Sequence, residues 1–228
     1  MMLDDCFYFS SRIIVGDYEV VPVFTNVNRG FNDAAQFYDV SFSFLKNNNS
    51  ISESLALSSL SISELLLIYK YVYEVAEELR YRKLLIPFSS GLLKVAADSC
   101  FFDKLPSKEI YIKVDYFDYK ELILKNETSI FDFGSVKVNI VFIISDVSNS
   151  DLYCDLLSQV FAIKLSSECF SFYYRNRRKF LSSYLNKMKS RIDLIVVDGV
   201  SHIDQLLFCR AKDVSVQGYF IDFLRRFS

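Results

Sequence analysis

The chain has 228 residues, with 26 Lys and Arg against 28 Asp and Glu, a formal net charge of −2, and 51% hydrophobic residues beside 24% charged ones. That balance excludes a disordered chain and gives no global electrostatic pull toward nucleic acid or an anionic membrane. The length fits one α/β barrel, so residues 1–228 are read as a single domain.

Asp4 and Asp5 come early, so the start lacks the basic-then-apolar layout of a signal peptide. No charge-free apolar run reaches the ~18 residues of a membrane span. Five cysteines, Cys6, Cys100, Cys154, Cys169 and Cys209, form no C-x-x-C pair; they are expected as reduced, mostly buried thiols of a cytoplasmic protein. Asn47-Asn48-Asn49-Ser50 is a loose tract, and the serine-rich stretch from Ser50 to Ser63 reads as a solvated loop and cap.

The first clear helix is expected from about Ser63 to Arg82, with Leu65, Leu66, Tyr69, Val72, Tyr73, Ala76 and Leu79 on one buried stripe. Ser63 with Glu64 and nearby Ser61 offers its N-terminal cap. Beyond it, Ile110–Val114, Val138–Ile144, Phe161–Leu165 and Leu194–Val197 are short apolar runs, many of them β-branched, of the kind buried on both faces of a parallel sheet. A second helix is expected from about Glu168 to Met188. It carries the basic run Arg175-Asn-Arg-Arg-Lys179, which reads first as a solvated helix face. Strands alternating with helices predict parallel β/α architecture. His202, the one histidine, has no nucleophile arrangement around it and is assigned to the surface or to a cap.

The segment Asp193-Leu-Ile-Val-Val-Asp-Gly-Val-Ser-His-Ile-Asp-Gln-Leu206, followed by Val216-Gln-Gly-Tyr219, resembles the end of the bacterial EAL domain, where A-E-G-V-E is followed by E-Q-L and Q-G-Y. The resemblance implies a TIM-like (β/α)8 barrel that hydrolyses cyclic di-GMP with a pair of divalent metals held by oxygen ligands at the strand ends.

In that register Ile14-Val-Gly-Asp-Tyr-Glu-Val-Val21 resembles the family's V-G-x-E-A-L, keeping Glu19 but placing Val23 where a ligand-binding arginine belongs. The N-x-S strand matches Leu84–Ser90, with Pro87 at the asparagine, and proline has no side-chain oxygen. The E-x-T-E strand matches Ile110–Tyr116, with Lys113 and Tyr116 at the two glutamates. An ammonium at ~4 Å from a divalent ion would cost several kcal/mol. Phe131-Asp-Phe-Gly-Ser135 imitates D-D-F-G-T but precedes its strand; counting back from Lys164 puts the aspartate pair at Ile143 and Ile144, or, after a two-residue slip, at Ser145 and Asp146. A-E-G-V-E becomes Val197-Asp-Gly-Val-Ser201, and Gln217-Gly-Tyr stands unchanged. Between Thr25 and Leu60 the family's elements find no match.

The surviving family positions are thus Glu19, Lys164, Asp198 and Gln217, with Pro87, Lys113, Tyr116, Ile143 and Ile144 overwritten. No metal and no cofactor is expected, and Glu19 reads as a structural acid paired with Lys164 or Lys113. Aromatic and cationic residues at Tyr173, Tyr174, Arg175, Arg177 and Arg178, and at Phe220–Phe227, have the mixture favoured at protein interfaces. The resemblance implies a stand-alone, catalytically inactive regulator that binds the FlhD subunit of the flagellar master transcriptional activator and keeps it from DNA, itself touching neither nucleic acid nor membrane. The alternatives are a receptor that binds cyclic di-GMP without cleaving it and, third, an active phosphodiesterase.

Overall fold

The computed structural model describes residues 12–28, 37–89, 92–93, 101–107, 109–124, 136–148, 157 and 160–218. Cys6, Cys100, Cys154, Phe131–Ser135, Tyr219 and the aromatic run after it lie outside those residues. The chain divides into two compact units. One comprises Met1–Thr25, Tyr38–Ile112 and Phe117–Val138, the other Asn26–Phe37, Lys113–Tyr116 and Asn139–Ser228.

A hairpin of β1 (Ile13–Val15) and β2 (Tyr18–Val27), in the first unit as far as Thr25, turns at Gly16, whose positive φ of 56° favours glycine. The stretch that sequence motifs leave unassigned holds β3 (Phe37–Lys46), β4 (Asn49–Ile51) and α1 (Glu53–Ser59). Asn47 and Asn48, in the tract read as loose, both take positive φ and form the tight turn that pairs β3 with β4 antiparallel. Asparagine tolerates that conformation better than other side chains.

α2 (Ile62–Glu78) starts on a complete capping box, in which Ser61 Oγ accepts from Glu64 N–H and Glu64 Oε2 accepts from Ser61 N–H. It ends earlier than Arg82. Arg80 takes a left-handed φ of 60° and bonds back to the Glu77 carbonyl, while Tyr81 N–H reaches the Ala76 carbonyl at 2.7 Å, a Schellman stop with arginine where glycine is usual. Leu65, Ile68, Tyr69, Val72, Val75 and Ala76 are buried; Leu66, Tyr73 and Leu79 are only half-buried. The stripe is therefore rotated slightly from the expected one. Against it lies β5 (Leu84–Pro87), parallel to β3 with Asp39 level with Leu85. The Tyr69 ring stacks on Phe88, meets Phe42 and Phe101, and donates its hydroxyl to the Pro87 carbonyl at 2.6 Å.

β6 (Glu109–Asp115) and α3 (Tyr116–Leu124) have residues in both units, as does β7 (Lys137–Ile144). The second unit contains β8 (Ala162–Leu165), α4 (Ser167–Asn176), α5 (Arg178–Lys189), β9 (Leu194–Val197), α6 (Ile203–Ala211) and β10 (Ser215–Val216). Strands β7 to β10 run parallel, each beside the next. Asn28 bridges β10 from the antiparallel side, exchanging backbone bonds with Val216 at 3.0 and 2.7 Å. The single helix expected from Glu168 to Met188 is two. Arg177, at φ −143° and ψ 45°, leaves the helical region, yet still donates to the Tyr173 carbonyl and accepts from Leu181 N–H. Cys169 and Cys209 are buried free thiols, pushed up to about 12 by burial. Among the described residues no helix is long and apolar enough to cross a membrane.

Tyr69→Phe keeps the ring contacts and removes the hydroxyl's bond to the Pro87 carbonyl. It should cost about 1–2 kcal/mol, read as a lower urea midpoint at unchanged slope.

Candidate functional site

The strand ends of the second unit bring together most of the residues singled out by sequence. Lys164 lies on β8, level with Ile143 on β7 and Val196 on β9. Because alternate residues of a strand share a face, Asp198, two residues beyond Val196, comes to the same side. Its Oδ2 is 2.9 Å from Lys164 Nζ, with side-chain exposures of 28% and 6% respectively. Asp198 Oδ1 accepts from Gly199 N–H at 2.7 Å, and its own N–H donates to the Leu165 carbonyl. The carboxylate is thereby held at both oxygens, and its backbone is tied to the neighbouring strand end.

Gln217 follows directly on β10, whose last residue, Val216, is level with Val197. Its N–H donates to the Val197 carbonyl, and its carbonyl accepts from Val200 N–H. Gly199 has φ 74°, and a Cβ there would lie 2.5 Å from Ser167 Cβ; a Cβ on Gly218 would lie 2.5 Å from the Val200 carbonyl oxygen. The Asp-Gly and Gln-Gly motifs thus pack two strand ends and the start of α4 against one another. Gln205 closes the loop after β9, its Oε1 accepting from Ser201 N–H at 2.8 Å and His202 N–H at 3.2 Å. His202 sits at the start of α6.

Lys113 is a second buried lysine of this unit, 8% exposed, on β6. Tyr116 is buried, its ring edge-on to Phe142 at 5.5 Å. Asp115, absent from the sequence reading, accepts a 3.3 Å bond from Ser145 Oγ. Ile144 is buried and Ile143 half-buried at the end of β7. Asp146, the alternative aspartate, turns toward α4. It accepts from Ser148 Oγ at 2.6 Å, Tyr173 Oη at 2.5 Å and Ser148 N–H at 2.9 Å. The Ser148 hydroxyl first, then that of Tyr173, holds this carboxyl below its usual range.

Two of the sequence positions lie in the first unit. Glu19 is not the partner of Lys164 or Lys113 expected from sequence. It sits on the exposed hairpin opposite Ile14, and its carboxylate bonds Arg12 at 2.8 Å. One neighbour of the Pro87 strand is β3, parallel to it, whose buried acid, Asp39, no motif marks. Its signal was an aspartate inside the apolar run 37–44, in a stretch without recognisable motifs.

The five residues expected at a partner surface separate. Tyr173 and Tyr174 are buried, their hydroxyls donating to Asp146 and to Asp204, the latter at 2.7 Å. This corrects the expectation that they meet a partner, since their rings pack inward. Arg178 lies over the rings of Tyr174 and Phe208 at 4.5 and 5.1 Å. Arg175 and Arg177 face solvent.

No family model matches the sequence, and no curated protein matches it. Solved structures do match in shape. The EAL-like domain protein YdiV aligns over 92% of this chain and 96% of its own, with a TM-score of 0.65 at 12% identity. The FimX EAL domain of Xanthomonas citri, in complex with c-di-GMP, aligns over 90% and 86%, with a TM-score of 0.66 at 13% identity. That of Pseudomonas aeruginosa, also bound to c-di-GMP, aligns over 90% and 89%, with a TM-score of 0.61 at 17% identity. The chain has the TIM-like α/β fold of EAL domains.

Among the described residues no three His, Cys, Asp or Glu side chains converge as a metal site would require. EAL-type chemistry needs several oxygen ligands on one divalent ion. The described strand ends of the second unit present Lys164 bonded to Asp198, with a second buried lysine in the same unit.

Asp198→Asn should destabilise the protein by about 2–3 kcal/mol, below the ~3–5 of a fully buried pair because Asp198 is partly solvated. Lys164→Met should cost less, since no charge is left buried; chemical denaturation of both variants checks the order. The lowered Asp146 favours folding above the unfolded value of about 3.9, and that contribution is lost as pH falls through the native value. Tm should therefore drop more steeply below about pH 4 in the wild type than in Asp146→Asn.

Proposed function

We propose that the chain is a single EAL-like domain that has lost phosphodiesterase chemistry and acts in the cytoplasm by binding another protein. The observation that carries this reading is that two buried lysines, Lys113 and Lys164, stand on strands of the second unit, Lys113 at a position where the resemblance implies a metal-binding glutamate. The carboxylate beside Lys164 is committed to an ion pair. A divalent cation entering there would meet ammonium groups and would have to break the Lys164–Asp198 bond. Pro87, with no side-chain oxygen, and Ile143 and Ile144 support the same reading.

The partner we propose is the FlhD subunit of the flagellar master activator, bound so that the activator is kept from DNA and motility falls. Its support is the resemblance of the closing motifs together with the likeness in fold to YdiV over nearly the full length of both chains. A second reading, a receptor for cyclic di-GMP that does not cleave it, draws on the two similar FimX structures that hold the dinucleotide.

Titration of purified FlhD into the protein should give a dissociation constant of about 1 μM or tighter, near −8 kcal/mol. Cyclic di-GMP in chelator should give no heat, and incubation with magnesium or manganese should leave it intact. Lack of FlhD binding would end the flagellar reading; tight binding of the dinucleotide in chelator would move the assignment to the receptor, and hydrolysis would refute the inactive reading altogether.

A further inference from the structure

The elbow between α4 and α5 carries an apolar and cationic surface that the strand-end site does not use. Phe172 is 52% exposed and Phe180 41% exposed. Both touch the buried Tyr173 ring, Phe172 edge-on at 5.1 Å and Phe180 stacked at 5.7 Å, so the two exposed rings border one spot. Between them in sequence lie Arg175, Arg177 and Lys179, all exposed; of the three, Arg177 also acts through space on the Asp146 carboxylate, as the last of the influences that lower it. Asp146 bonds Tyr173 and Ser148, and Asp204 bonds Tyr174. Arg178 is held over Tyr174 and Phe208, which anchors the elbow and leaves the other cations outward.

α5 has no acidic residue in its first turn and begins instead with Arg178 and Lys179 after Arg177, so cations crowd the positive end of the helix dipole. Large exposed aromatics ringed by cations on a chain of net charge −2 mark a surface complementary to an acidic, apolar partner.

We propose that the α4–α5 elbow docks an acidic amphipathic helix of another protein. Apolar side chains one turn apart on that helix seat against Phe172 and Phe180, and carboxylates flanking them meet Arg175, Arg177 and Lys179. Three outward cations are few for tracking a phosphate backbone, and two phenylalanine rings offer no hydrogen bonds to base edges. The proposal rests on the reading of the chain as a protein-binding domain and names the chemistry of the contact.

The test uses the full-length protein and a fluorescein-labelled peptide of about 16 residues, four to five helical turns, with Leu along one face and Glu beside it. A peptide of the same composition with its leucines dispersed is the control. Anisotropy should show binding of the amphipathic peptide only, weakened about tenfold or more by R175E/R177E/K179E and about fivefold by F172S/F180S, with melting unchanged. If charge reversal lowers the melting temperature, R175A/R177A/K179A replaces it, with an expected loss of about threefold. No binding, equal binding of the dispersed control, or tighter binding to phosphatidylserine vesicles or oligo-dT would overturn the proposal. The probe holds no flagellar sequence, so peptide binding without FlhD binding removes only the flagellar partner. FlhD binding that these substitutions leave unchanged, with no peptide binding, removes only this site.

Discussion

Lys164 is carried by β8, a four-residue strand buried along its whole length between β7 and β9, and a charge there has to be answered by something the neighbouring strand ends can reach. Parallel register decides what that is. Residues level with Lys164 are Ile143 and Val196, so the residue two beyond Val196, Asp198, comes to the same face and brings its carboxylate within 2.9 Å. Once that carboxylate is taken, the loop that follows is constrained. Gly199 must take a left-handed φ against Ser167, and Gln217 and Val200 close the next strand end by backbone bonds.

This dependence accounts for the residue types found at these strand ends. Asp198-Gly199 and Gln217-Gly218 serve the backbone as well as any ligand. Each glycine sits where a Cβ would collide with its neighbour; the Asp198 side chain bonds Lys164 and the Gly199 N–H, and Gln217 bonds Val197 and Val200 through its backbone. Pro87 shows the converse. Its backbone carbonyl still accepts the Tyr69 hydroxyl in an aromatic cluster, so the strand keeps its packing although the side chain at that point offers no oxygen. Packing and chemistry were therefore separable at these strand ends.

Strand positions were legible because short runs such as Leu194–Val197 have one environment open to them, burial between two neighbours. Helix boundaries were less so. The periodicity of Glu168–Met188 runs on through Arg177, yet the chain turns there, because α4 and α5 pack separate tyrosines, Tyr173 and Tyr184, into the core. The same local rule misled the reading of Tyr173 and Tyr174. An aromatic and cationic run looks alike whether its rings face inward or outward, and only the hydroxyl partners Asp146 and Asp204, about thirty residues away in sequence, draw these rings in. The first acidic strand was lost for a similar reason. Glu19 matched a motif, while Asp39, with no motif around it, lies on the strand beside Pro87.

What the sequence determined by itself was the class of fold, the order of its later strands, and the identity of residues at their ends. Those depend on apolar runs, glycine spacing and the presence or absence of side-chain oxygens, all local properties. Which charges are paired, and which aromatics are exposed, was decided only in the tertiary structure. Both depend on strand register and on contacts between residues far apart in the chain, and a buried charge or ring takes its partner from whatever the fold brings within about 3–4 Å.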